Sequence, residues 1–403
     1  MKKYFIIAVL ALVVSAACTK VDPVDAPAQK VTFQAAPYTT ATKADEVSVL
    51  NDFHQFKCLA YLHAEGADLD SNGNVTDSKQ AFFGTGETIS WDATNKEWAP
   101  SHVYYWPKGA QSFVNFIGWY GTNGTVDTNT SLPALNVDPT VTYTYANSKW
   151  TATMTWAYIA SISQAGSNFL YADMAWRYKS NADAEYKKDG VTEGVPMLFH
   201  HALAQINVKA YAAKANNTDP DLSKGTSTDE GKIVDANAKW TLTLRNVKIT
   251  PVITDGTLAL TNEDPGEKKT QAWTGSWAVS SGNSAGDMGM TGTPSVVEVT
   301  KPTAGTTTGD IIAATCVIPQ SLTGVKLSFD LTINTEYITG GQTNTEVLHK
   351  EILLTDMMNN STEWAMNTKY TYYLKVIPSQ NKVLFDPALD ADWTEGDTVE
   401  YSI

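Results

Sequence analysis

The sequence predicts an all-β protein built as two β-sandwich domains in tandem. Three observations carry this. Short runs of alternating apolar and polar residues recur along the chain, bounded by Gly, Pro, Asn or Asp. No amphipathic helical pattern follows the first 17 residues. The length, 403 residues, exceeds one ordinary domain and suits two. Many short strands joined by turn-rich loops pack as sandwiches.

The chain starts with Lys2 and Lys3, then the apolar run Tyr4 to Val14, then the small residues Ser15-Ala16-Ala17 before Cys18. Basic, apolar, small is the order of a secretory signal, and the run falls short of the roughly 20 residues a membrane span needs. The small-residue site ending in cysteine resembles the lipobox of bacterial lipoproteins. That resemblance implies that residues 1–17 are removed and that Cys18 is lipidated. Residues 18–30, with two prolines and small residues, read as a tether.

Val31, Phe33 and Ala35 then share one face of a strand over 30–35. The polar, small stretch Thr39 to Glu46 breaks it, and its single basic residue is Lys43. Such segments are where proteases cut. Val49 to His63 is a strand region, and Gly66 to Lys79 a loop. Phe113 to Tyr120 is apolar on both faces, which marks a buried central strand. Val141, Tyr143 and Tyr145 alternate with threonines, as do Trp150, Ala152, Met154 and Trp156. The charged, glycine-bounded stretch Asn181 to Gly194 reads as a domain link. It sets the N-terminal domain at 31–192 and the C-terminal domain at 193–403.

In the second half, Ile206, Val208 and Ala210 alternate. Leu242 and Leu244 share one phase and Val247 and Ile249 the other, so a bulge is expected near Arg245-Asn246. Thr261 to Thr308 reads as long loop with one or two short strands. Val325 to Ile333 alternates without a break. Tyr370 to Ile377 and Lys382 to Leu389 form a hairpin around Pro378 to Asn381. Thr398 to Ile403 alternates again, with Val399, Tyr401 and Ile403 on one face.

Charge narrows the function. The net charge is −14, and without Lys2 and Lys3 it becomes −16, from 27 basic and 43 acidic residues. A surface this acidic repels nucleic acid. Cys58 and Cys316 lie in apolar runs; a disulfide between them stays open, with two separate thiols preferred. No G-x-S-x-G, H-E-x-x-H, C-x-x-C or P-loop pattern occurs, so no enzyme and no cofactor is expected. His200 and His201 are adjacent and would face opposite sides of a strand; they read as one packed and one solvated histidine. Asp68, Asp70 and Asn72 imitate the start of a calcium loop, but Lys79 stands where a glutamate is needed. A solvated Asn-Gly turn is the default there. The aromatics between Trp91 and Tyr120 offer stacking faces for sugar or, more simply, core.

Three stretches carry a resemblance. They are Tyr104 to Pro107 with Asn115 to Tyr120; Leu198 to Val208; and Trp364 to Leu374 running on to Val383-Leu384-Phe385 and Asp392-Trp393. Together with the lipobox, the chain resembles the fimbrillin family of Bacteroidales lipoproteins, the subunits of type V pili. The resemblance implies two transthyretin-like, Greek-key sandwiches and a palmitate-bearing lipid on Cys18. It places the protein at the cell outer membrane, surface-exposed, and in the fimbrium. It implies that a trypsin-like protease cuts at Lys43-Ala44, displacing the strand of Val31, Phe33 and Ala35. The open edge then takes a strand from a partner's C-terminus, here Val399, Tyr401 and Ile403. The partners are other pilus subunits, in a homo- or hetero-polymer. One departure stands out: the family's protease prefers arginine, and this site has Lys43. Either another protease acts, or the subunit stays uncut as an anchor or surface lipoprotein. Thr398 to Ile403 has a second reading, as a strand of its own domain. The expected function is a pilus subunit or pilus-associated adhesin. The alternative is a non-polymerising surface lipoprotein that binds glycan or a host ligand through exposed aromatics.

Overall fold

The computed structural model describes residues 30–37, 55–64, 82–106, 112–123, 135–159, 167–178, 187–188, 191–192, 194–212, 223–224, 233–234, 237–266, 269–279, 286–289, 297–298, 310–357, 362–378 and 382–390, apart from 84, 96, 136 and 148. It is all-β, as expected. The strands are β1 (Phe33–Pro37), β2 (Gln55–Ala64), β3 (Glu87–Asp92), β4 (Glu97–Pro100), β5 (Ser112–Asn123), β6 (Thr140–Ala146), β7 (Lys149–Ile159), β8 (Ser167–Ala172), β9 (Met174–Tyr178), β10 (Lys187–Lys188), β11 (Val191–Thr192), β12 (Val195–His201) and β13 (Ala204–Ala212). They continue as β14 (Ser223–Lys224), β15 (Ile233–Val234), β16 (Ala238–Val252), β17 (Asp255–Glu263), β18 (Lys269–Gln271), β19 (Thr274–Val279), β20 (Gly286–Gly289), β21 (Val297–Glu298), β22 (Asp310–Val317), β23 (Lys326–Tyr337), β24 (Thr343–Leu353), β25 (Lys369–Ile377) and β26 (Lys382–Asp390). One helical turn, Leu354–Met357, stands among them.

The largest sheet closes on itself. Its order is β18-β9-β5-β2-β3-β4-β1-β12-β8, and β8 also pairs with β5. Seven strands, β5-β2-β3-β4-β1-β12-β8, therefore form a ring. Alternation fills its inside: Phe56, Cys58, Ala60, Ile89, Trp98, Phe116, Leu170, Met197 and Phe199 join Val31, Phe33 and Ala35 in one buried cluster. The opposite face of the same sheet, with Leu59, Ile117, Trp119 and Phe169 from the ring and Trp176 from β9, packs against a second sheet, β19-β17-β7-β6. That is why β5 is apolar on both faces: one side lines the ring, the other meets the covering sheet.

The second half pairs two sheets around a third core. One is β22-β13-β25-β26; the other is β14-β15-β16-β23-β24, with β20 and β21 also on β16. Leu327, Phe329, Leu331 and Ile333 of β23 face Ile206, Val208, Tyr372 and Leu374 in this cluster. The bulge expected near Arg245-Asn246 is present. The β16–β23 register slips between Arg245 and Lys248, and Asn246 takes φ of 53°, a left-handed value that asparagine tolerates. The expected 377–382 hairpin closes with Ile377 opposite Lys382.

Two readings need correction or refinement. The stretch 261–308, expected to be mostly loop, carries β18, β19, β20 and β21. Gly, Ser and Thr give little periodic signal, yet β19 pairs with β17 over six residues. The expected boundary at 192/193 falls between β11 and β12, and strand pairing crosses it. β12 pairs with β1 and β8, β17 with β7, and β18 with β9. Local composition marks a linker but cannot show that the chain later returns to an earlier sheet.

Candidate functional site: the seat of the first strand

The strand expected over 30–35 is hydrogen-bonded over Phe33–Pro37, with Lys30 forming an isolated bridge to Tyr105. β1 lies parallel to β12, from Phe33 opposite Val195 to Pro37 opposite Phe199. Its other edge meets β4 at one pair, Phe33 with Trp98. β1 is therefore the joint that closes the ring, firm on one side and thin on the other.

Three kinds of contact hold it. Val31, Phe33 and Ala35 point into the ring, at 2%, 2% and 0% exposure. The Phe33 ring meets Phe56, Phe83 and Phe116 edge-on, with centroids 6.1, 6.1 and 5.6 Å away. Burying a Val or Phe side chain contributes about 1.5–3 kcal/mol each. Backbone bonds add to this: Val31 N donates to the Tyr104 carbonyl at 2.9 Å, and Val195 N donates to the Thr32 carbonyl at 2.7 Å. Third, Gly194 sits against the β1 backbone. A Cβ there would lie 2.5 Å from the Phe33 N and C atoms. Only glycine permits so close an approach of the two strands.

Residues 101–106 cross the start of β1 as a strap, and Glu87 anchors it. Its carboxylate accepts from Ser101 Oγ, from Tyr104 Oη at 2.7 Å, and lies 2.9 Å from His102 Nδ1. Burial alone would raise the Glu87 carboxyl. The hydrogen bonds from Ser101, Tyr104 and His102, with the His102 charge, outweigh it and hold the group below its ordinary value. Burial, then the bond and charge of Glu87, push the Tyr104 hydroxyl up to about 12. The Tyr104 ring also packs against Phe83, tilted, with centroids 4.4 Å apart, and Phe83 touches Phe33. The strap was not foreseen from sequence; the Tyr104-Tyr105-Trp106 run stood out as aromatic and as part of the family resemblance, not as a crossing segment.

Past the far end of β1, His200 Nε2 lies 2.8 Å from Asp173 Oδ1, and Tyr171 stacks on the imidazole. The expectation of one solvated histidine fails here. His200 is held against Asp173 and largely covered, and burial followed by the His200 neighbour pushes His201 down to about 3. Cys58 and Cys316 are separate free thiols. Burial raises both, Cys316 to about 12, so neither is a reactive thiolate. Of the aromatics weighed as sugar platforms, Trp98, Trp119 and Tyr120 are core, while Tyr105 is 47% exposed beside Val103 at 61%. Among the described residues, no cluster of three His, Cys, Asp or Glu could hold a metal, and no helix is long and apolar enough to cross a membrane. Cys18, Lys43, Ala44, Asp68, Asp70, Asn72, Val399, Tyr401 and Ile403 lie outside the described residues.

The profile of the fimbrillin-like family matches residues 59–393. The chain belongs to the fimbrillin-like family. That family is structural rather than enzymatic. Several solved structures are similar at low identity. A fimbrial protein from Bacteroides vulgatus aligns at 16% identity and TM-score 0.49, covering 91% of this chain and 100% of that one. A candidate cell adhesion protein from Bacteroides uniformis gives 16% and 0.38 over 91% and 98%. A fimbrial assembly protein from Parabacteroides distasonis gives 9% and 0.33 over 93% and 99%. No curated protein matches the chain.

Proposed function

We propose that this fimbrillin-like chain is a cell-surface subunit of a type V pilus, or an adhesin associated with one, that assembles by strand exchange. In this reading it is exported as a lipoprotein through Cys18 and reaches the outer membrane. Cleavage at Lys43-Ala44 then frees β1. The single observation that carries the reading is the place of β1 in the ring. Its departure uncovers the pocket of Phe56, Phe83 and Phe116. It also strips Val195 N–H and the Tyr104 carbonyl of their partners. A buried polar backbone group left unpaired costs about 1–3 kcal/mol. Two edges, β4 and β12, then face the gap. Such an edge recruits a strand from a neighbour, and Val399, Tyr401 and Ile403 have the alternation to supply it.

Processing and assembly are tested separately. The mass of the mature surface protein is expected to fit a chain starting at Ala44, and Lys43→Ala to retain the lipidated start at Cys18. A start at Ala44 that persists in Lys43→Ala would remove Lys43 from the account. Deleting residues 398–403 is expected to abolish polymers while leaving the subunit folded; polymers that survive would refute strand donation from this tail.

Exposed Tyr105 and Val103 favour a second reading, a surface lipoprotein that captures glycan or a host ligand without polymerising. Tyr105→Ala would then weaken ligand binding at least tenfold, and unchanged binding would reject it.

A further inference from the structure

We propose that β24 is the edge through which two copies of this chain pair, antiparallel, about a two-fold axis at Leu348. The contact is independent of β1 and of strand exchange. Among the described residues β24 pairs with β23 alone, while β15, β20 and β21 lie along the far edge of β16. Leu354 N donates to the Val325 carbonyl and Tyr337 N to the Gln342 carbonyl, so even-numbered positions turn their backbone towards β23. An antiparallel ladder alternates, and Thr343, Thr345, Val347, His349 and Glu351 therefore turn N–H and C=O outwards. These residues are exposed, Val347 at 66%. An open edge of 11 residues is a template for another strand.

Sheets blunt such edges with short strands, proline, bulges or charge. The other ends of the two strand orders carry the first three devices. β14 has 2 residues, β26 holds Pro387, and β22 meets β13 through a register slip at Val208 and Lys209. β24 has neither proline nor glycine, and its ladder with β23 runs without a slip. Charge is the remaining guard, and it does not oppose a second copy. On the outer face His349 meets Asp330 and Glu351 meets Lys326 within one chain. On the core side Glu346 and Lys350 stand two residues before and two after Leu348, which packs at the rim of the core.

That symmetry selects the register. With Leu348 opposite its own copy, Glu346 stands opposite Lys350 on both sides of the axis, and opposite charges across a strand pair attract. Leu348 meets Leu348 and extends the apolar rim. The ladder also runs the whole strand, from Thr343 opposite Leu353. Sliding the partner by two residues sets Glu346 or Lys350 opposite Leu348. Sliding it by four sets Glu346 on Glu346 or Lys350 on Lys350. Sliding it by one turns an apolar face outwards. A two-fold interface uses the same patch twice, and this strand is complementary to itself.

The experiment is sedimentation equilibrium of the full chain purified from the producing cell, over a concentration series into the millimolar range. Lys43→Ala is the background, which keeps the contact apart from the proposed cleavage-dependent polymer. A monomer–dimer equilibrium is expected; a monomer throughout would overturn the proposal. Val347→Pro removes an outward N–H while leaving the bonds to β23, and should weaken the dimer at least tenfold at an unchanged melting temperature of the dilute monomer. Glu346→Lys and Lys350→Glu should each weaken self-association about tenfold. Mixing those two variants should restore a dimer as tight as the parent, because each lysine then faces a glutamate. A dimer indifferent to Val347→Pro and to both charge variants would place the contact elsewhere and refute the proposal. A mixture no tighter than either variant alone would refute the register.

Discussion

The ring around β1 and the sheet pair of the second half both enclose full apolar cores, yet they are held together differently. In the sheet pair, long strands meet their chain neighbours. β23 pairs with β24 from Lys326 opposite Leu353 to Glu336 opposite Thr343, and β25 with β26 from Lys369 to Ile377. In the ring, closure depends on five residues of β1, parallel to a strand some 160 positions later, and on a single pair with β4. One region is held by long ladders, some between neighbours in the chain and some, such as parallel β13–β25 over eight residues, between distant strands. The other is sealed by a short segment with one long pairing and one thin one. The proposed strand exchange would use that contrast, opening the fold at one place while the rest stays rigid.

The sharpest way to break it is Phe33→Ala. Truncating a buried phenylalanine costs about 3–5 kcal/mol. Hydrogen exchange should quicken at residues 195–199 of β12 while β23 keeps its protection. Equal loosening of both would show that the ring has no separate weak joint. Gly194→Ala comes next. Its Cβ would collide with the Phe33 backbone, and overpacking of this kind costs about 1–3 kcal/mol. Thermal melting should fall, and β1 should become open to proteolysis before the sheet pair does.

Acid should also act on the ring side first. His201 has a folded value near 3, below the ordinary 6.5, so it stays neutral when folded. The unfolded chain takes up the proton first, and stability present above pH 6.5 is lost as pH falls towards 3. Glu87 adds to this lower down: its value is depressed, so its contribution is present above the ordinary carboxyl value and lost as pH falls through the folded one. A pH titration of unfolding should show this loss, and His201→Gln should flatten it between pH 6.5 and 3. The smallest effect is expected at Val347→Thr on the outer face of β24. Val347 is 66% exposed, and such a change stays within about 0.5 kcal/mol. A larger loss of stability would mean that this face is covered.

What the sequence disclosed follows from what alternation encodes. Period two tells which face of a strand is apolar, so Val31-Phe33-Ala35, Leu327 to Ile333 and the phase slip at Arg245-Asn246 were all legible. It does not tell which strand lies alongside. The parallel partner of β1, the crossing of 101–106 over its start, and the return of β17 and β18 to the first half were therefore invisible. Gly194 was noted only as the end of a charged linker, because nothing local distinguishes a turn glycine from one pressed against another backbone. Trp273 and Trp277 interrupt the Gly-, Ser- and Thr-rich stretch. They donate to the Ala172 and Ala202 carbonyls and fasten that stretch down.

The account depends on β1 completing the ring and on its loss opening a seat that a neighbour's strand fills. Amide hydrogen exchange at residues 195–199, measured before cleavage at Lys43, after removal of the freed segment, and again with added peptide 391–403, tests this most directly. Protection should collapse on removal and return with the peptide, while β23 stays constant throughout. Protection at 195–199 that survives the loss of β1 would contradict it.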